Sequence, residues 1–264
     1  MADAVEERRE PETVPPIAQR RSAAYTRRFV LAYVLVIAVF AGMVVLFAIL
    51  VSRSDSSASR WSSYHPKGRD ELTKAQNLAN YVAPRYIDEG SPVAVVEAQP
   101  LVVQNTLVDG IAFSRGTSRG TIGGGLKQFE PADGTIMYVF CGPGNKCGPS
   151  PTATAQTDTL LRRESLELAL YTFKYWQGID SVVALLPPLN GTKPALYLKR
   201  HAFEDVLSKP LNRTLPTRSR ITGGSLSEAE QLMIDRLTAN NVYASEFEIL
   251  PNGRAVLVLA SGTR

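Results

Sequence analysis

The sequence predicts an α+β ectodomain with a mixed sheet, built from one βαβ unit plus a C-terminal helix–hairpin and preceded by a single transmembrane helix. Three observations carry this. Residues 29–51, FVLAYVLVIAVFAGMVVLFAILV, contain no charge. Residues 134–188 set a strand, a connection, a long helix and a second strand in that order. Residues 225–260 set a capped helix before two strand-like runs joined by Pro251-Asn252-Gly253.

The apolar run reaches about 34 Å as a helix, enough to cross a hydrocarbon core of about 30 Å. It lacks the polar face that a soluble helix needs. A cleaved signal peptide has a shorter apolar region, about 7–15 residues, closed by a small-residue cleavage site. Here a charged tail, residues 1–28, also precedes the run. The expectation is an uncleaved signal anchor. Arg20, Arg21, Arg27 and Arg28 lie before it, against Arg53 and Arg60 after it. The bias in positive charge puts the N-terminus in the cytoplasm and residues 52–264 outside, as a single-pass cell-membrane protein. Ala38 and Gly42 form a small-xxx-small pair of the kind that lets spans approach closely.

The tail carries six arginines and five acids with few large apolar residues. It cannot bury enough surface to offset its ordering entropy and is expected to be a disordered, topology-setting segment. Residues 52–66, SRSDSSASRWSSYHP, read as a juxtamembrane stalk, with Trp61 and Tyr64 either at the lipid headgroups or packed on the domain. The domain proper is 67–264.

Within it, Asp70 opens a helix whose apolar stripe is Leu72, Ala75, Ala79 and Val82, ended or kinked at Pro84. Residues 92–103, PVAVVEAQPLVV, read as a strand broken at Pro100. A glycine-rich loop follows at 115–125, then a strand at 134–141. The helix over 159–177 is the longest in the domain, with a wide apolar arc and Gly178 where a cap is expected. A strand at 181–188 completes the βαβ unit, which predicts a parallel pair. A further strand covers 195–200, followed by a short helix from His201. Ser225-Leu-Ser-Glu228 has the form of a capping box for a helix to about Asn240. The Asn-Gly turn that follows is a strong hairpin signal, with Tyr243, Phe247 and Ile249 on one side of the first strand.

The chain has 264 residues and a net charge of +4. That mild excess is spread along its length, with no basic helix interleaved with aromatics, so no nucleic-acid partner is expected. Gly120 and Gly125 have phosphate-loop spacing, but Leu126-Lys127-Gln128 stands where Lys-Ser/Thr is needed. What remains is a candidate anion-binding loop of Arg115, Arg119, Gly123, Gly124 and Gly125. His65 and His201 are the only histidines, which leaves no metal motif, and no Gly-x-Ser-x-Gly or Ser-x-x-Lys nucleophile pattern occurs. No cofactor and no catalytic residue are assigned. Asn190-Gly-Thr192 and Asn212-Arg-Thr214 match the glycosylation acceptor pattern.

Cys141 and Cys147 are the only cysteines. Their spacing is not that of C-x-x-C redox sites, and without a nearby histidine they make a poor zinc site. Outside the cytoplasm a Cys141–Cys147 disulfide is expected, closing a short loop worth roughly 2 kcal/mol.

The functional expectation is a non-enzymatic accessory, scaffold or assembly protein of a cell-envelope or surface complex, with protein partners or self-association. A ligand-binding or sensory ectodomain is the first alternative. A surface hydrolase using dispersed acidic residues is the second.

Overall fold

The computed structural model describes residues 30–46, 61–103, 106–115, 126–142, 154–188 and 193–261. The chain divides into two units, Met1–Asp55 and Ser56–Arg264.

The described part of the first unit is one helix, α1, residues 30–46. Every large apolar side chain on it is at least half exposed, from Val39 at 50% to Tyr33 at 72%. Among the described residues no helix is long and apolar enough to cross a membrane. α1 accounts for about 26 Å of helix. The rest of the apolar run, Phe29 and residues 47–51, lies outside the described residues, as do the tail and residues 52–60.

The second unit is mixed α/β, a large mixed sheet with several helices. In chain order it contains α2 (Glu71–Val82), the small hairpin β1 (Ile87–Asp88) and β2 (Ser91–Pro92), β3 (Val95–Gln99), β4 (Val102–Val103), β5 (Thr106–Arg115), β6 (Leu126–Pro131) and β7 (Thr135–Cys141). Then come α3 (Ala155–Tyr175), β8 (Ser181–Leu185), β9 (Pro194–Lys199), the short helices α4 (Glu204–Leu207) and α5 (Leu211–Thr214), α6 (Glu228–Thr238), β10 (Val242–Ile249) and β11 (Ala255–Ser261). The sheet order is β3-β7-β8-β9-β10-β11-β5-β4, with β6 also paired to β5.

Both expected units are present. β7 and β8 run parallel across α3, and α6 leads into the antiparallel β10–β11 hairpin. Gly253 lies in that turn at φ +79, a conformation glycine enters without a Cβ penalty.

Several details differ from expectation. The run 92–103 is split into parts of β2, β3 and β4. β5 and β6 were not anticipated. α3 starts at Ala155, where the Thr154 side chain accepts from Thr157 N at 3.1 Å. Its C-terminal end is not capped by Gly178. The Arg200 guanidinium donates to the carbonyls of Phe173, Trp176 and Ile179 instead. α6 is capped by Ser227, which accepts from Glu230 N at 3.2 Å. Ser225 belongs to a 3-10 turn, Gly223–Ser225, capped by Thr222. Asp70 caps α2 as expected, accepting from Thr73 N at 2.8 Å. Leu78 takes the buried place on the α2 stripe, and Leu72 is exposed.

The middle strands read as near-continuous apolar runs because both their faces are covered. Ile136, Tyr138, Val182, Ala184, Leu196 and Leu198 face the main core, which also holds the buried side chains of α2, α3 and α6. Met137, Val183, Ala195 and Tyr197 belong to a second core with Ile111, Leu257 and Leu259. That second core is one face of the sheet closing on itself. The Phe113 ring of β5 lies 5.3 Å from the Tyr197 ring of β9. The sheet order puts three strand steps between them, about 14 Å along a flat sheet.

Trp61 is buried on the domain, with its ring 5.4 Å from that of Tyr171. Tyr64 stacks on Tyr81 at 3.7 Å. Of the two places considered for this pair, both occupy the domain.

Candidate functional site

Two groups of polar side chains stand out. The first is a seam of charge along α3. Arg162, Arg163, Glu164 and Glu167 are all buried there. The sequence places them on the helix that fills the main core, so each needs a partner inside it. Glu167 Oε1 accepts from Arg85 Nη2 at 2.6 Å, and Oε2 from the Tyr86 hydroxyl at 2.6 Å. Arg163 donates from Nε to Glu230 Oε1 at 2.7 Å, from Nη2 to the Pro216 carbonyl at 2.9 Å, and from Nη1 to the Tyr86 oxygen at 2.5 Å. Arg218 Nη2 stands 2.8 Å from Glu230 Oε2. Arg162 bridges Asp158 at 2.9 Å and Asp235 at 2.7 Å. These contacts join α3 to the turn after α2, to the 210–220 connection and to α6.

Burial works against the charge on Arg163, but Tyr86, Glu167 and Glu230 outweigh it and hold the guanidinium protonated. Burial, then the Glu167 carboxylate, push the Tyr86 hydroxyl well above its ordinary range, so it remains a donor. Glu164 differs from its neighbours. It is fully buried, and neither carboxyl oxygen has a hydrogen-bond partner.

The second group lies where the curled sheet closes. Thr135, Ser181 and Lys199 are opposed in register across β7, β8 and β9. The Thr135 and Ser181 hydroxyls are 2.6 Å apart. Tyr197 donates to Glu130 Oε2 of β6 at 2.6 Å, and Lys199 pairs with Glu130 Oε1. Burial raises the Glu130 carboxyl, but the hydrogen bonds from Lys199 and Tyr197 outweigh it and leave it below its usual range. Burial raises the Tyr197 hydroxyl, as does its bond to Glu130. A serine beside a lysine invites a nucleophilic reading, which needs an unprotonated lysine to serve as base. Lys199 Nζ is paired with Glu130 Oε1 of β6. The geometry is that of a clasp.

The residues singled out in the sequence fall elsewhere. Cys141 is the last residue of β7, buried and not a free thiol. Its expected partner Cys147 lies outside the described residues. Arg115 ends β5, and the loop with Arg119, Gly123, Gly124 and Gly125 is outside the described residues, within the connection from β5 to β6. Asn190 is also outside them, and Asn212 is exposed on α5. His65 lies with its ring 5.2 Å from that of Tyr175, and His201 is in the 3-10 turn before α4. Among the described residues no group of three or more His, Cys, Asp and Glu is placed to hold a metal ion.

Neither polar group was found from the sequence. The reading of α3 rests on its apolar arc and assigns its charges no role, and Glu130 and Tyr197 are 67 residues apart with no motif linking them. No family model, curated protein sequence or solved structure matches this chain.

Proposed function

We propose that this chain is a single-pass, membrane-anchored accessory, scaffold or assembly protein of a cell-envelope or surface complex, with a cytoplasmic N-terminus and a non-enzymatic domain outside. The observation that carries the reading is α1. Its large apolar side chains are half exposed or more on every side. Water does not tolerate such a surface, and lipid does. The proposed span is the whole run 29–51, of which α1 is the described part. Further support comes from the use of charge in the domain. Arg85, Arg163, Glu167, Glu230, Glu130 and Lys199 are engaged with one another in pairs that hold elements together.

A Cys141–Cys147 bridge belongs to the same proposal, since it fits an oxidising compartment. Two reactive thiols in the native, non-reduced protein would refute it. The main test is co-purification from detergent-solubilised membranes of the native host. Recovery with defined partners, or as a stable self-assembly, is expected. Recovery only as a lone monomer would overturn the scaffold reading.

A further inference from the structure

Glu164 is the one member of the α3 seam whose carboxyl oxygens are both buried without a hydrogen bond. An ionised carboxylate in that position loses its hydration without compensation unless an ion or donor satisfies it. Three groups face it. Glu167, three residues along α3, brings a like charge. Arg85, in the turn after α2, brings an opposite one, but its Nη2 is given to Glu167 at 2.6 Å. Tyr86, at the end of that turn, is a neutral hydroxyl already bonded to Glu167 and Arg163. Arg85 gives only that one nitrogen to Glu167; its Nε and Nη1 are buried without a hydrogen bond, and neither is bonded to Glu164. The guanidinium is thus oriented on Glu167, and Glu164 is left with a like charge beside it and no bonded donor.

We propose that Glu164 is a proton-linked group built into the core: the folded domain holds it as a neutral carboxylic acid, so that acidification stabilises the fold against unfolding. Burial first, and the Glu167 charge second, push this carboxyl well above the usual carboxylate range, with Arg85 opposing them. The sign follows from linkage. The folded state binds one more proton than the unfolded state at any pH between the ordinary glutamate value and the raised one. Across that window stability falls as pH rises, so the unfolding equilibrium constant grows about tenfold per pH unit for one proton. Below the window, where both states are protonated, Glu164 contributes nothing to the pH dependence. The device acts against the usual acid lability of a folded protein, and it holds whichever side of a membrane the domain occupies.

The test compares the full chain in detergent micelles with its Glu164→Gln variant by urea unfolding from pH 5 to pH 8. Glutamine keeps the shape of the neutral acid and cannot ionise. The two proteins should have matching stability near pH 5. Their unfolding constants should then diverge, with the variant more stable by about 100-fold after two pH units within the window. Parallel curves would overturn the proposal. An infrared difference spectrum of native against urea-unfolded wild-type protein at pH 7 gives a second readout that does not depend on the variant folding. A protonated carboxyl carbonyl band in the native state is expected, and its absence would equally overturn the proposal.

Discussion

The Tyr197 hydroxyl donates to Glu130 Oε2 at 2.6 Å, although β9 and β6 are four strand steps apart in the sheet. Along a flat sheet that is about 19 Å. The bond therefore spans the mouth of the curl, with Lys199 as a second tie to the same carboxylate. The second core, with Ile111, Val183, Leu257 and Leu259 all fully buried, lies inside.

That clasp makes the domain acid-sensitive at its open side. The Glu130 carboxyl is held below its usual range in the fold despite burial, because Lys199 and Tyr197 bond its charged form. Its contribution is complete above the ordinary glutamate value and disappears as pH falls through the lowered one. Glu130→Gln should lose stability at neutral pH and flatten the acid limb of a thermal unfolding profile below about pH 4.5. An unchanged acid limb would remove Glu130 from the clasp.

The α3 seam should be costly to break from one side. Glu230→Ala leaves the buried Arg163 without its shorter carboxylate contact, at 2.7 Å against 3.4 Å to Glu167, with Arg163 and Glu230 side chains only 1% and 2% exposed in the intact pair. A loss of about 3–5 kcal/mol is expected in chemical denaturation. Arg163→Met combined with Glu230→Leu should lose less, because the buried guanidinium goes with its carboxylate, Glu167 keeps Arg85, and only the part-exposed Arg218 loses its partner. Equal losses from the single and double changes would show that packing, not charge, sets the cost.

Gln76 of α2 closes the outer edge of β3. Its Oε1 accepts from Ala98 N at 2.8 Å, and its Nε2 lies 3.4 Å from the Val96 carbonyl oxygen. One carboxamide thus takes the place of a neighbouring strand. Gln76→Ala should cost about 1–3 kcal/mol and speed exchange of the Ala98 amide hydrogen. It should also raise self-association, since unpaired strand edges recruit other strands. Unaltered amide protection at Ala98 would contradict this role.

Gly110 makes room for an aromatic cover. A Cβ at that position would lie 2.1 Å from the end of the Phe129 ring and 2.7 Å from the Glu130 carbonyl oxygen. Gly110→Ala should destabilise by about 1–3 kcal/mol through overpacking. Adding Phe129→Ala should recover part of that loss, and thermal melts of both variants give the comparison. Additive losses would show that the ring is not the obstacle.

The sheet strands were legible where their burial was uniform. GTIMYVFC, SVVAL and ALYLK are apolar on both faces, and each became a strand of the doubly covered middle. β5 was not legible, because its pattern breaks in the middle. Its pairing with β11 skips Asp109, so Val108 and Ile111 join the same core at a spacing of three. Asp109-Gly110 also has the letters of a turn. The α3 seam was hidden for a different reason. Arg and Glu four residues apart mark a solvated helix face as readily as a buried network, and only the packing of α2 and α6 around α3 decides between them. The clasp was hidden by separation along the chain, since Glu130 and Tyr197, 67 residues apart, meet only once the sheet has curled.

The central claim is an anchor at 29–51 that puts the domain outside. It is tested most directly by paired reporters fused after Arg264 in intact cells, one active only outside the cytoplasm and one only within it. Activity of the outside reporter alone is the predicted result. Activity of the cytoplasmic reporter alone would contradict the topology, and with it the oxidising setting proposed for Cys141 and Cys147.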